Sequence, residues 1–244
     1  MTNSIQIETT WRCAGCCPYC PHTSEPIDME DAVFDKVVKA IDVEVDAIYP
    51  FLNGDPLLDP KILPRLQALR AAFPHPPIHI YTTLPYDLFK EPELLGFILS
   101  HTQLTISITP STAPIDMVYR LRPIVGAPGL TLVAPAHTKA ANNLFNVLQE
   151  LSGSIPNHRI TPLFNWGGQY LSPYMGPERP CTRIDRFRCI NIHGQLTHCC
   201  YIHKGPTYGS LLHNNLSDLV NKEPYVRFST HQEELPQCRV CNGR

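Results

Sequence analysis

The chain has 244 residues, which at roughly 150 residues per domain suggests one domain with a substantial appendage, and 43% hydrophobic residues are enough for a large core. A net charge of −2 without a long basic run argues against an electrostatic grip on nucleic acid, and no run approaches the roughly 18 apolar residues that span a bilayer. Residues 1–12 lack a basic stretch leading into an apolar one, so no secretion signal is read and the expected compartment is the reducing cytoplasm.

In chain order, Ser4 to Thr9 alternates Ile5 and Ile7 with polar residues and predicts a strand; Asp28 is placed to cap a helix striped by Met29, Val33, Val37 and Ile41. Ala47 to Leu52 predicts the second strand, followed by a helix carrying Ile62, Leu66, Leu69 and Phe73. Strands at Ile78 to Thr82, Leu104 to Ile108, Leu130 to Val133 and Arg159 to Phe164 then alternate with helices near Leu94 to Leu99, Ile115 to Leu121 and Leu144 to Leu151. Six βα units predict a parallel sheet with right-handed crossovers, short of the eight that close a barrel. The expected fold is therefore α/β, a partial (βα)6 TIM-like barrel over residues 1–165, with its chemistry at the C-terminal ends of the strands.

The prolines, 25 in all, are spread as punctuation between apolar segments, and the Gly/Pro-rich stretch 166–180 reads as a linker. Beyond it, residues 181–244 predict a small module: a hairpin, Phe187 to Ile192 and Gln195 to Cys199, turning at His193-Gly194, a helix from Leu216 to Phe228, and a terminal CxxC. A module this small needs a metal and docking onto the barrel for stability.

The ten cysteines carry the function, because thiols in a reducing compartment serve as metal ligands or catalysts more readily than as disulfides. Right after the first strand comes Cys13-Ala-Gly-Cys16-Cys17-Pro-Tyr19-Cys20. Its spacing permits either CxxxCxxC, with Cys13, Cys17 and Cys20 as ligands, or two abutting CxxC pairs for zinc. The adjacency of Cys16 and Cys17 disfavours zinc ribbons, whose knuckles stand some 15 to 20 residues apart. Three thiolates on one strand-end loop suit a 4Fe-4S cluster with one iron left open. Downstream, Cys181, Cys199, Cys238 and Cys241 supply four thiolates from separate elements, a closed site that by geometry could hold zinc or a fully ligated cluster.

With CxxxCxxC, an aromatic Tyr19 before the last cysteine and the position after strand one, the sequence resembles the radical S-adenosylmethionine (SAM) enzymes. Asn53-Gly54-Asp55-Pro56 ends the second strand where that family carries a Gly-Gly-Glu-Pro-like turn holding the SAM ammonium; here Asn replaces the first Gly and Asp the Glu. Ser107 in the fourth strand sits where relatives contact the SAM ribose, and Asn165-Trp166-Gly167-Gly168 stands in place of an Asn-Arg-Gly-Gly stretch of alcohol-oxidising relatives. Residues Cys181 to Cys241, with Tyr208-Gly209, resemble the twitch module, a shortened SPASM domain carrying one auxiliary 4Fe-4S cluster.

The resemblance implies SAM and two 4Fe-4S clusters as cofactors, a flavodoxin- or ferredoxin-type electron donor, and a 5′-deoxyadenosyl radical that abstracts a substrate hydrogen. With the first strand starting at residue 4, no leader-peptide-binding domain is expected ahead of it, which favours a small polar metabolite (sugar, aminocyclitol or nucleoside-like) over a peptide. Oxidation, sulfur transfer and epimerisation compete as outcomes. Cys16, Cys189 and Cys200 are left outside both ligand sets, and Cys200 or Cys189 is a candidate hydrogen-atom donor, Cys189 otherwise a hairpin core thiol. The competing class is a zinc-binding structural module.

Overall fold

The computed structural model describes residues 3–15, 17–18, 20, 24–136, 138–151, 157–161, 181, 186–197, 199–200, 205–234, 238 and 241. Six parallel strands, β1 (Ser4–Ile7), β2 (Ala47–Tyr49), β3 (Ile78–Thr82), β4 (Thr102–Ser107), β5 (Thr131–Pro135) and β6 (His158–Thr161), alternate with α1 (Asp31–Ala40), α2 (Ile62–Ala72), α3 (Pro92–His101), α4 (Pro114–Leu121) and α5 (Lys139–Glu150). The expected partial barrel is there. Three further strands, β7 (Phe187–Ile190), β8 (Gln195–Thr197) and β9 (Thr207–Ser210), complete a nine-stranded sheet of order β6-β5-β4-β3-β2-β1-β7-β8-β9.

Strand alternation sorts the two faces. Ile5, Ile7, Ile48, Ile78, Ile80, Leu104, Ile106 and Leu132 are all buried, and they share one core with Val37, Leu66, Leu69, Ile98, Leu121, Leu144 and Val147 of the helices. At about 1.5–3 kcal/mol per fully buried aliphatic side chain, this layer between sheet and helices dominates stability. The other face is polar and aromatic, and it is concave: Arg159 on β6 donates to Tyr81 Oη on β3 at 3.0 Å, spanning β4 and β5.

The C-terminal hairpin is joined more intimately than docking implies. β7 pairs in parallel with β1, from Ser4 opposite Phe187 to Ile7 opposite Ile190, so the second module extends the barrel sheet. Its Ile190, Leu196, Leu216, Leu219, Tyr225 and Phe228 join the barrel core. Gly194 makes the hairpin turn at φ 71°, a left-handed conformation that glycine adopts without a Cβ penalty.

Two expectations need correction. Asp28 does not cap α1, because its carboxylate is held by Arg12 and Thr10. The helix expected over Leu216 to Phe228 is two, α6 (Leu216–Val220) and α7 (Glu223–Thr230), since Pro224 lacks an N–H and sits in the first turn of α7. Tyr208 and Gly209, part of the twitch resemblance, lie in β9. The end of the sixth strand, the linker 166–180 and the 165–168 stretch lie outside the described residues. No helix among the described residues is long and apolar enough to cross a membrane.

Candidate iron–sulfur and SAM site

The cysteine loop leaves the C-terminal end of β1 and returns to α1 along its own outgoing limb. Trp11 N–H donates to Ile27 C=O at 2.8 Å, Met29 N–H to Thr9 C=O at 2.9 Å, and Cys13 N–H to Ser24 Oγ at 2.9 Å. Arg12 grips Asp28 through Nε and Nη2, at 3.0 and 2.9 Å. Burial alone would raise the Asp28 carboxyl pKa, but hydrogen bonds from Arg12 and Thr10 hold it below the usual range. From α2, the buried Arg65 donates to Thr9 C=O at 3.0 Å and to Met29 C=O, clamping both limbs, while Asp59 Oδ2 holds it at 2.7 Å.

Within the loop, Gly15 N–H donates to Cys13 Sγ at 3.4 Å. A Cβ placed on Gly15 would lie 3.4 Å from Cys17 Sγ and 3.5 Å from Cys13 Sγ, so both sulfurs flank the same glycine. Burial pushes the Cys13 thiol up to about 11; the Gly15 N–H pulls against this, and the charges of Asp55, Cys20 and Cys17 add to it. The sulfurs of Cys13, Cys17 and Cys20 thus lie close enough to act on one another electrostatically, and as thiolates they would need a bound cation. Among the described residues no three Cys, His, Asp or Glu side chains converge on a point for a single ion. Sulfurs spread around Gly15 suit the larger span of a cluster. Tyr19 and Cys16 lie outside the described residues.

The Asn53–Pro56 turn is braced against this loop. Asp55 N–H donates to Arg12 C=O at 2.8 Å, and Gly54 packs so closely that a Cβ there would lie 2.1 Å from Thr10 O. Asn53 Nδ2 donates to Glu8 Oε1 at 2.6 Å; Glu8 Oε2 accepts from Ile192 N–H at 3.1 Å, so one buried carboxylate ties the turn to the C-terminal hairpin. The Asp55 carboxylate departs from the role the resemblance implies. Oδ1 accepts from Leu57 N–H (3.1 Å) and Thr82 Oγ1 (2.7 Å), and Oδ2 from Thr83 N–H and Oγ1 (both 2.8 Å). A carboxylate offers about four acceptor positions, and here protein donors take them, so no direct contact to a SAM ammonium is left. Burial raises its pKa and those four bonds pull it back. Pro56 follows it into a short 3-10 turn, Pro56–Leu58, that Asp55 caps.

Asp55→Asn is therefore expected to destabilise the fold by about 1–3 kcal/mol, because an amide nitrogen facing Thr83 N–H leaves a buried donor unpaired. Thermal unfolding checks this, and an unchanged melting temperature with weakened SAM binding would instead mark a ligand carboxylate.

At the strand ends, Leu84 adopts φ 53°, unusual for a non-glycine residue, with its N–H on Thr82 Oγ1 and its C=O receiving Arg120 Nη1 at 2.6 Å. Beside it a cavity of about 200 Å³ opens against the cysteine loop, lined by Ala14, Gly15, Thr83, Thr109, Asp116 and Arg120. Hydroxyls with one acid and one base suit a zwitterionic amino-acid group. Ser107 is half-buried at the end of β4 and in register with Val133, itself opposite Arg159, which places it on the concave face. Cys189 is buried on β7 opposite Gln6, to which its thiol donates at 3.2 Å. Asn165 lies outside the described residues.

Of the second cysteine set, Cys238 adjoins Tyr208 of β9, and Cys181 is held just after α7. Gln232 holds Cys181 through both main-chain groups, accepting from its N–H at 3.0 Å and donating to its C=O at 3.1 Å. Cys181 and Cys238 are buried, Cys199, Cys200 and Cys241 half-buried, and Cys241 N–H donates to Cys238 C=O at 3.4 Å, forming the knuckle. Tyr208 stacks on Phe228, centroids 5.2 Å apart; its phenol is pushed up to about 12 by burial first and by the neighbouring Cys238 next. Sequence reading missed Arg65, Glu8, Thr82, Thr83 and Gln232, since each acts on partners remote along the chain.

Residues 181–242 match the SPASM family, an iron–sulfur cluster-binding domain. No curated protein sequence matches the chain. The solved structure of BtrN in complex with AdoMet (SAM) and 2-DOIA shares 15% identity and a TM-score of 0.70, covering 99% of this chain and 93% of that one. Streptococcus suis SuiB bound to precursor peptide SuiA gives 12% identity and a TM-score of 0.75, covering 99% and 70%. For anSMEcpe with bound AdoMet and Cp18Cys peptide the values are 15% and 0.51, covering 100% and 88%. The chain thus shares the fold of these solved structures, and its residues 181–242 match the SPASM iron–sulfur domain model.

Proposed function

We propose that this chain is a radical SAM enzyme that modifies a small polar metabolite, a sugar, aminocyclitol or nucleoside-like compound of secondary metabolism, by oxidation, sulfur transfer or epimerisation. The observation that carries it is the braced loop presenting Cys13, Cys17 and Cys20 at the strand ends of a partial barrel whose sheet runs on into a SPASM-type module. Cys13, Cys17 and Cys20 would hold a cluster with an open iron, and Cys181, Cys199, Cys238 and Cys241 an auxiliary one. Once bound, the first cluster and SAM supply an electron and a 5′-deoxyadenosyl radical. The protein's own share is orientation: Arg65, Asp28 and Gly54 fix the loop, the backbone of the Asn53–Pro56 turn and the cavity at Asp116 and Arg120 receive the methionyl end of SAM, and Ser107 its ribose. Near-complete mutual coverage with BtrN supports a small substrate. The likeness to SuiB supports a second reading, a peptide substrate.

Reconstituted anaerobically, the chain should hold about eight irons and, when reduced by dithionite or a flavodoxin, convert SAM to 5′-deoxyadenosine. Cys238→Ala with Cys241→Ala should keep about four irons and SAM cleavage but lose product, provided circular dichroism shows it folded. Cys13→Ala, Cys17→Ala and Cys20→Ala should each abolish cleavage, while Cys16→Ala retains it. A colourless, zinc-loaded protein would sink the proposal.

A further inference from the structure

The concave face of the sheet carries an aromatic platform that none of the roles above uses. Register places Gln6 beside Tyr49, and Tyr49 stacks on His79 of the next strand, ring centroids 4.7 Å apart and 9° from parallel. Tyr81 adjoins Phe51 at 5.3 Å, and Phe187 of β7 reaches Tyr49 at 5.5 Å across β1. All five rings are half-buried, unlike the fully buried aliphatic residues of the opposite face. Burial lowers the His79 pKa, so this ring is neutral at pH 7.

One cation overlooks the platform. Arg159 on β6 is exposed, donates one Nη2 hydrogen bond to Tyr81 Oη at 3.0 Å and lies close enough to Tyr49 to act on its phenol. Among the described residues it pairs with no carboxylate. Glu8, the acid on the adjoining β1 row, is spent on Asn53 and Ile192. Among the described residues the face therefore offers aromatic rings and a guanidinium paired with no carboxylate, with no acid left to receive an ammonium group.

We infer that this face is the substrate subsite, and that the substrate is a small ring compound bearing an anionic group, carboxylate or phosphate, with its ring against Tyr49 and Tyr81 and its anion on Arg159. A guanidinium fork matches either anion in a bidentate fashion, and aromatic side chains pack a ring through edges as well as faces without needing hydrogen bonds. The inference deepens the proposed function: among sugars, aminocyclitols and nucleoside-like rings it selects anionic members and disfavours polyamines, which Arg159 repels.

The test is calorimetric or ligand-observed NMR titration of the holoenzyme with benzoate, phenyl phosphate, benzamide, benzylamine and inorganic phosphate. Benzoate or phenyl phosphate should bind at least about tenfold more tightly than benzamide, a charged hydrogen bond being worth that much, and benzylamine not at all. Whichever of the two binds better identifies the anion. Arg159→Gln should erase that preference, Arg159→Lys restore part of it, and Tyr49→Leu weaken the aromatic probes while leaving inorganic phosphate unchanged. Equal binding of benzamide, binding of benzylamine, or an anion preference that survives in Arg159→Gln would overturn the inference. SAM cleavage by the native chain is scored separately: cleavage without anion preference refutes the subsite alone, and anion preference without cleavage refutes the radical SAM reading while the subsite stands.

Discussion

Gly54→Ala should leave a chain that still folds its C-terminal module but no longer assembles the first cluster. The methyl group would sit 2.1 Å from Thr10 O, 2.9 Å from Thr10 C and 3.0 Å from Arg12 O. All three are main-chain atoms, so no rotamer change can make room. Relief requires the turn to back away, which breaks the 2.8 Å bond from Asp55 N–H to Arg12 C=O and releases the limb entering Cys13. Overpacking of this kind costs about 1–3 kcal/mol, and a displacement near 1 Å in a catalytic constellation lowers rates by about a hundredfold. Iron should fall from about eight to about four per chain, with SAM cleavage reduced by about a hundredfold or more. Gly96→Ala is the control, since nothing lies within 4 Å of its Cβ in α3, and there alanine should stabilise by about 0.5–1 kcal/mol. Full iron and full cleavage in Gly54→Ala would remove the turn from any part in positioning the loop.

How far the sequence leads can be read from individual residues. The alternation of Ile5 and Ile7 and the helical stripe through Leu66 and Leu69 announce elements because each element's period is set locally, and the cysteine spacing announces the loop for the same reason. The bracing is not local. Arg65 looks like an ordinary helix arginine until the fold brings Thr9, Met29 and Asp59 to it, and Asp55 matches a ligand position until Thr82 and Thr83 claim its oxygens. The continuity of β7 with β1 was equally hidden, since a parallel partner 183 residues away, as for Gln6 and Cys189, leaves no turn signal between the strands. The concave aromatic row emerges only when three strands are set in register.

Arg65→Met should be the most damaging single change away from the cysteines. The guanidinium is 4% exposed and Asp59 is fully buried, 2.7 Å away. It also lies over the Phe34 ring, 5.3 Å from its centroid, so a methionine could fill the space but not the charge. Removing one partner of a buried pair leaves the other uncompensated, at about 3–5 kcal/mol, a large share of a total of about 5–15 kcal/mol. The pH dependence gives the mechanism away. Burial raises the Asp59 pKa and Arg65 opposes this, so without Arg65 the folded-state pKa climbs further above its unfolded value. A carboxyl with a raised folded pKa favours the folded state only while protonated, and that contribution is lost as pH rises through the folded pKa. The deficit of Arg65→Met should therefore be greatest at neutral pH and shrink as pH falls toward the carboxylate range, and adding Asp59→Asn should recover part of it at pH 7. Melting temperatures of the native chain, the single variant and the double variant across that range decide the matter. A deficit that does not change with pH and is not eased by Asp59→Asn would mean that the lost bonds to Thr9 and Met29, and not the stranded carboxylate, account for the damage.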